Sequence, residues 1–270
     1  MVVTKIYQTG NSLTQDVIIM EPDDILPQEA TLLASIRFGD KGASINCDYE
    51  SAKDAITKQA IKCGGNLIKI TSLKLPDNWS TCCRIEALVY HTPDNRKFEK
   101  IIYWSDTRKL IYSDFKSKVK PLESFHPITI ATTGAGILYR ASKITPFTFL
   151  IKECYIKSYF DCRKSWFDKN FENPEVLEHE QLHFDITELF ARRLRKKLIN
   201  EYITPITLET LEKEIKQTMS DLEKLQQKYD QEAGHGIDDE IQKKWRKLIA
   251  EELKKLNIYQ SDLVVFKKNK

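Results

Sequence analysis

The stretch Asn173-Pro174-Glu175-Val176-Leu177-Glu178-His179-Glu180-Gln181-Leu182-His183 decides how the second half of this chain is read. Asn173 is a strong helix N-cap, because its short side-chain oxygen accepts from the unpaired N–H groups of a first turn, and Pro174 suits the first helical position. The pattern predicts a helix from 174 to about 202, before Pro205 interrupts it. Four residues apart on that helix, His179 and His183 project from one face about one turn apart. That spacing lets two imidazole nitrogens reach one tetrahedral zinc ion, while Glu180 reaches a water on the metal without ligating it. Zinc lowers the pKa of such a water toward about 7, and a carboxylate then takes its proton. The chain has five histidines, so this motif should arise by chance in roughly one such sequence per hundred.

A third ligand follows from helix lengths. Residues 208–229 carry Leu208, Leu211, Ile215, Leu222, Leu225 and Tyr229 at heptad spacing, with Thr218 in the remaining slot. From His183 to Tyr202 the first helix rises about 28 Å, and from Thr207 to Tyr229 the second returns about 33 Å. An antiparallel hairpin therefore brings residues 229–235 level with the histidines. His235, between Gly234 and Gly236, is the first choice for third ligand, and Asp230 is the alternative. Asp185, two residues past His183, is a candidate to orient a ligand imidazole or else surface, and Glu178 reads as solvated. Tyr229 reads as core before oxyanion donor, and His91 and His126 as non-ligands. A last helix is predicted over 238–256, with Ile241, Trp245, Leu248, Ile249 and Leu253 on one face.

Working outward, the first half has a different texture. Residues 32–38 read as a strand ended by Gly39-Asp40-Lys41-Gly42, 49–63 as a helix with Gly64-Gly65 as its cap, and 66–73 and 83–91 as two strands. The first 20 residues are an early strand or a flexible lead. Thr92-Pro93-Asp94-Asn95 marks a boundary, giving a small β-α-β-β domain over 1–95 and a second domain over 96–270. Strands are expected at 101–104, 136–139 and 147–160 before the helices begin. Thr133-Gly134-Ala135-Gly136 lacks a following helix and reads as a bend, not a phosphate loop. The fold class is α+β, with a small sheet and long C-terminal helices in the second part.

Composition narrows the functional classes. With 41% hydrophobic and 30% charged residues over 270 positions, the chain can build real cores. A net charge of +3 from 42 basic and 39 acidic residues, with no basic patch interleaved with aromatics, argues against nucleic acid. None of the six cysteines forms a CxxC pair, so a thiolate zinc cluster is not expected. Cys82 and Cys83 are adjacent and strained against pairing with each other, but either can pair with Cys47 or Cys63. No apolar run is long enough for a bilayer, and Met1-Val2-Val3-Thr4-Lys5 has no signal-peptide pattern, an abrupt polar start that also suits a chain trimmed of its leader.

The run Leu177-Glu178-His179-Glu180-Gln181-Leu182-His183-Phe184-Asp185-Ile186, continuing through Glu188-Leu189-Phe190-Ala191-Arg192-Arg193-Leu194, resembles the hallmark of a bacterial family of proposed zinc-dependent metallopeptidases in the HExxH (zincin) group, long catalogued as a domain of unknown function. The resemblance extends upstream to Trp104-Ser105, Tyr112-Ser113-Asp114-Phe115, Tyr159-Phe160-Asp161 and Lys164-Ser165-Trp166, and downstream to Tyr229-Asp230, His235-Gly236 and Gln242-Lys243-Lys244-Trp245. It covers roughly residues 98–257. It implies a small sheet backed by the motif helix, with zinc on His179, His183 and His235 and Glu180 as general base and acid. The family tends to place Gly where this chain has Leu182, which narrows the space beside the metal. In zincins a strand near the motif helix pairs with extended substrate, a role for residues 137–140 or 155–159.

Residues 30–91 look like a small envelope-associated module of Bacteroidetes-type proteins, on Ala60, Cys63-Gly64-Gly65-Asn66 and Trp79-Ser80-Thr81-Cys82. That resemblance implies a periplasmic or outer-membrane-attached location through an absent leader, and a Cys47 bridge to Cys82 or Cys83. The expected partner is a peptide or protein substrate. The competing expectation is a non-catalytic envelope-binding or scaffold protein with a structural zinc.

Overall fold

Alternation of apolar and polar residues over Thr31–Phe38 and Arg84–His91 sends every second side chain into one core, which is what a half-buried strand requires. The computed structural model describes residues 2–8, 17–39, 49–76, 80, 82–120, 129–144, 148–202, 204–236 and 238–266, with the side chains of Val3 and His235 outside that description. The chain divides into two units, Met1–Glu99 and Lys100–Lys270. The fold class is α+β, with the long helices gathered in the second unit.

In the first unit, β1 (Val2–Ile6), β2 (Ile18–Met20), β3 (Thr31–Phe38), β4 (Leu67–Lys74) and β5 (Arg84–His91) form one sheet in the order β1-β3-β5-β4-β2. All its pairings are antiparallel except that of β2 with β4. Helix α1 (Tyr49–Lys62) buries Ala52, Ile56 and Ala60, one per turn, in the core that also holds Ile36, Ile70 and Ala87. The sheet thus has two strands more than the expected β-α-β-β core. Gly64 ends α1 with φ 75°, and at Gly65 a Cβ would come within 2.2 Å of Val89 Cγ1.

The unit runs past residue 95 because Asn66 ties the following turn to it. The Asn66 amide donates to Thr92 O at 2.7 Å and accepts from Thr92 N at 2.9 Å, and Asn95 Nδ2 donates to Asn66 O at 3.0 Å. All three residues are buried, so these bonds satisfy groups that water cannot reach. Cys82 is disulfide-bonded, whereas Cys63, Cys83, Cys154 and Cys162 are buried thiols. Cys47, the partner implied by resemblance, lies outside the described residues, as does His126.

The second unit is built around β9 (Leu150–Asp161). Strand β8 (Ala135–Lys143) runs antiparallel along one side of it, while β6 (Ile101–Tyr103), β11 (Ile206–Thr207) and β12 (Leu263–Val265) share the other. A separate pair, β7 (Ala131–Thr132) and β10 (Trp166–Phe167), stands nearby in sequence. Ile151, Cys154, Ile156 and Ile137 lie in one core with Leu182, Ile186 and Leu189 of α2 (Pro174–Glu201). The same core receives Leu211 and Leu222 of α3 (Leu208–Glu232) and Trp245, Ile249 and Leu253 of α4 (Asp239–Lys255). Helix α2 is therefore central, and sixteen of its residues are buried on both faces. Leu182 is 2% exposed and belongs to this core. Among the described residues no helix is long and apolar enough to cross a membrane.

Candidate metal centre

The start of α2 is set by Asn173, whose side-chain oxygen accepts from Glu175 N at 2.8 Å, with Pro174 at the first helical position. At about 100° per residue, a step of four turns 400°, so the two histidines are offset by only about 40° around the axis. Their Nε2 atoms lie 3.1 Å apart. Both rings are buried, at 3% exposure for His179 and 8% for His183.

The third member comes from the last turn of α3. Asp230 Oδ1 stands 3.1 Å from His179 Nε2 and 2.8 Å from His183 Nε2, and these three atoms form a cluster in which all lie within 4.8 Å of one another. Two imidazole nitrogens and a carboxylate oxygen all offer lone pairs unless protonated, so their convergence calls for a shared cation, either protons or a metal. The electrostatics have the same cause. Burial pushes the Asp230 carboxyl up, but its bonds and charge interactions with His179 and His183 outweigh that and hold it well below the usual range. For His183, burial is the largest influence and pushes the ring down, yet Asp230 and the charge of Glu180 bring the balance above its ordinary value. The side chain of Asp230 is 29% exposed, so the cluster is open on that side.

Three neighbours buttress His179. Tyr229 stacks on its ring at 4.6 Å between centroids and 26° between planes. Gln242 of α4 places Oε1 3.2 Å from His179 Nδ1. Gly236, at φ 92°, passes so close that a Cβ there would lie 3.2 Å from His179 Cβ and 3.3 Å from Cγ. Gly236→Ala is therefore expected to lower stability by about 1–2 kcal/mol from the left-handed backbone alone, with further loss as the methyl presses on the ring. Urea denaturation of the metal-free protein measures it, and an unchanged midpoint would contradict the close approach.

Glu180 is 4% exposed, and among the described residues its Oε2 has no hydrogen-bond partner. A buried carboxylate oxygen without a partner is costly to leave so, and this one sits next in sequence to His179 on α2. Tyr229 is fully buried and its hydroxyl donates to Gln242 Oε1 at 2.7 Å, so it is core and not an oxyanion donor. Burial, its largest influence, pushes the phenol far above its usual range.

Asp185 does not orient either imidazole. Two residues past His183 is about 200° around the helix, the opposite face, and there its Oδ1 accepts from Trp104 Nε1 at 2.7 Å and Gln181 Nε2 at 2.9 Å. Burial raises the Asp185 carboxyl against the opposing pull of Lys109, Trp104 and Gln181. Gln181 also accepts from Leu110 N at 2.8 Å, so this face of the motif anchors the segment after β6. Glu178 is exposed and pairs with Arg246. The side chain of His235 lies outside the described part of the structure; its backbone is in the short Gly234–Gly236 turn against α2.

A two-unit α+β architecture with a His-His-Asp cluster, its histidines buried on the central helix α2 and its aspartate on the last turn of α3, defines the class. Residues 157–236 match the family described as "Bacterial protein of unknown function (DUF922)", a segment that runs from β9 through the HExxH motif and Asp230 to Gly236. The match supports a bacterial family of unknown function and carries no activity with it. No curated protein and no solved structure matches the chain.

Proposed function

We propose that the protein is a zinc-dependent metallopeptidase. The observation that carries this reading is the convergence of His179 Nε2, His183 Nε2 and Asp230 Oδ1 beside Glu180, whose Oε2 has no bond among the described residues. Nitrogen and carboxylate donors in that number fit zinc, and three protein ligands with an open side are the pattern of catalytic rather than structural sites. Among described side chains Asp230 takes the third place, and His235 stays a candidate beside it. Zinc held there supplies Lewis acidity for a peptide carbonyl and eases the ionisation of water.

The chain's own groups do the rest. Glu180 Oε2 accepts the proton of the attacking water and passes it to the departing amine. Strand β8 pairs only with β9 among the described residues, so its other edge can add an extended peptide as a further strand. The alternative at residues 155–159 is closed, because β9 is flanked on both sides: Tyr159 faces Gly136 and Tyr103, and Tyr155 faces Arg140 and Leu263. The Cys82 disulfide favours an oxidising compartment, in keeping with a periplasmic or outer-membrane-attached enzyme acting on peptides or proteins.

Purified protein is expected to hold one zinc and to cleave an unfolded protein substrate. Asp230→Ala should lower zinc affinity by more than the roughly 10–100-fold typical of losing an outer-shell partner, read by metal analysis after competition with a chelator. Full zinc content without Asp230 would remove it from the donor set. Unfolding on chelation with no turnover of any substrate would instead identify a structural zinc in a binding or scaffold protein.

A further inference from the structure

Gln242 is a polar residue in an apolar place. It opens the stripe Gln242, Trp245, Ile249 and Leu253 that α4 buries, and it is 1% exposed. All its polar atoms are engaged. Oε1 accepts from Tyr229 OH at 2.7 Å and lies 3.2 Å from His179 Nδ1, while Nε2 donates to Glu175 O at 3.3 Å.

The Glu175 carbonyl fixes which way the amide faces. A flipped amide would set its oxygen against that carbonyl, two acceptors with no proton between them. With Oε1 toward His179, Nδ1 must be the donor. A neutral imidazole carries one N–H, so its Nε2 is then bare. That Nε2 meets His183 Nε2 and Asp230 Oδ1, both at 3.1 Å, and without a metal the proton the cluster needs is the one on His183 Nε2, 2.8 Å from Asp230 Oδ1.

We propose that Gln242 is a positioning residue: its carbonyl oxygen holds His179 as the Nδ1–H tautomer and so turns a bare Nε2 into the His179–His183–Asp230 cluster. An amide serves this better than a carboxylate, because it has both the acceptor for Nδ1–H and the donor for Glu175 O. Tyr229 completes the device by stacking on the ring and donating to the same oxygen. The consequence for metal binding rests on the zinc reading; the tautomer does not.

The test uses the full chain with 15N-labelled histidine, free of metal, followed across a range of pH. The wild-type protein is expected to show His179 protonated at Nδ1 and bare at Nε2. Gln242→Met, close in shape but without an acceptor, should populate both tautomers and lower zinc affinity about 10–100-fold. Gln242→Glu, which still accepts from Nδ1–H, should keep the wild-type tautomer. A proton on Nε2 in the wild-type protein, or an unchanged tautomer in Gln242→Met, overturns the proposal. Should Gln242→Met not fold, the wild-type spectrum and Gln242→Glu decide alone. Failure of any form to bind zinc would sink the metal reading and leave the tautomer result standing.

Discussion

Glu188→Gln is expected to destabilise the second unit by about 3–5 kcal/mol, the range found when one partner is removed from a buried ion pair. Glu188 lies one helical turn and a half beyond His183, and both of its oxygens are used. Oε1 accepts from Arg192 Nε at 2.8 Å and Arg195 Nη2 at 3.1 Å; Oε2 accepts from Ser158 Oγ at 2.6 Å and Arg195 Nη2 at 3.0 Å. Glu188 and Arg192 are each 4% exposed and Arg195 is 0% exposed, so one carboxylate answers two guanidinium groups that water does not reach. The amide variant keeps the volume but removes the charge and turns one of the two accepting oxygens into a donor, so the loss reports electrostatics and hydrogen bonding and not cavity formation.

The network also reaches the far end of the chain. Arg192 Nη1 donates to Leu253 O at 2.9 Å, and Arg195 Nη1 donates to Tyr259 O at 2.8 Å and Gln260 O at 2.9 Å. It therefore pins the end of α4 and the segment leading to β12. Urea denaturation followed by tryptophan fluorescence measures the loss. Glu223→Gln, on an exposed turn of α3, should stay within about 0.5 kcal/mol. A loss below about 1 kcal/mol at Glu188 would mean that the arginines find other partners.

The parts of this molecule that were legible in its sequence are those whose signal is local. The Asn173-Pro174 cap, the four-residue step between His179 and His183, and the apolar stripes of α3 and α4 each lie within one element. Their structure follows from periodicity and capping alone. Strands β11 and β12, of two and three residues, are too short for any alternation to register; they exist because β9 offers an unpaired flank. Strands β1 and β2 likewise owe their form to partners β3 and β4.

At the site, helix lengths place the end of α3 level with the histidines, and Asp230 is there, 51 residues from His179 in sequence. Helix length sets height along an axis but not rotation about it, so it cannot choose among residues 229 to 235. Asp185 shows the converse: proximity in sequence suggested a partner for His183, but 200° of helical turn sends it to Trp104. In the sequence Gln242 appears only within the run Gln242-Lys243-Lys244-Trp245, beside Ile241, where the expected apolar face begins. Its role becomes visible only once Glu175, Tyr229 and His179 are in place around it.

Glu180→Gln is expected to keep its zinc and lose peptide hydrolysis by about 10²–10⁴-fold, the usual contribution of a positioned general base. The separation of the two effects follows from geometry. The donor atoms come from His179, His183 and Asp230, and Glu180 is not among them. Its Oε2 makes no bond to the described protein, so replacing it with an amide nitrogen breaks no contact there. What disappears is the basic oxygen itself, since an amide cannot take a proton from water near neutral pH. The loss should therefore fall in kcat, with substrate affinity little changed. Paired measurements of zinc stoichiometry and kcat/KM on one peptide read both halves. Retained activity removes Glu180 from the chemistry, and lost zinc would show that it supports the metal itself. Asp230→Ala makes the opposite prediction, with zinc failing first and activity only as a consequence, so the two variants together separate holding the ion from using it.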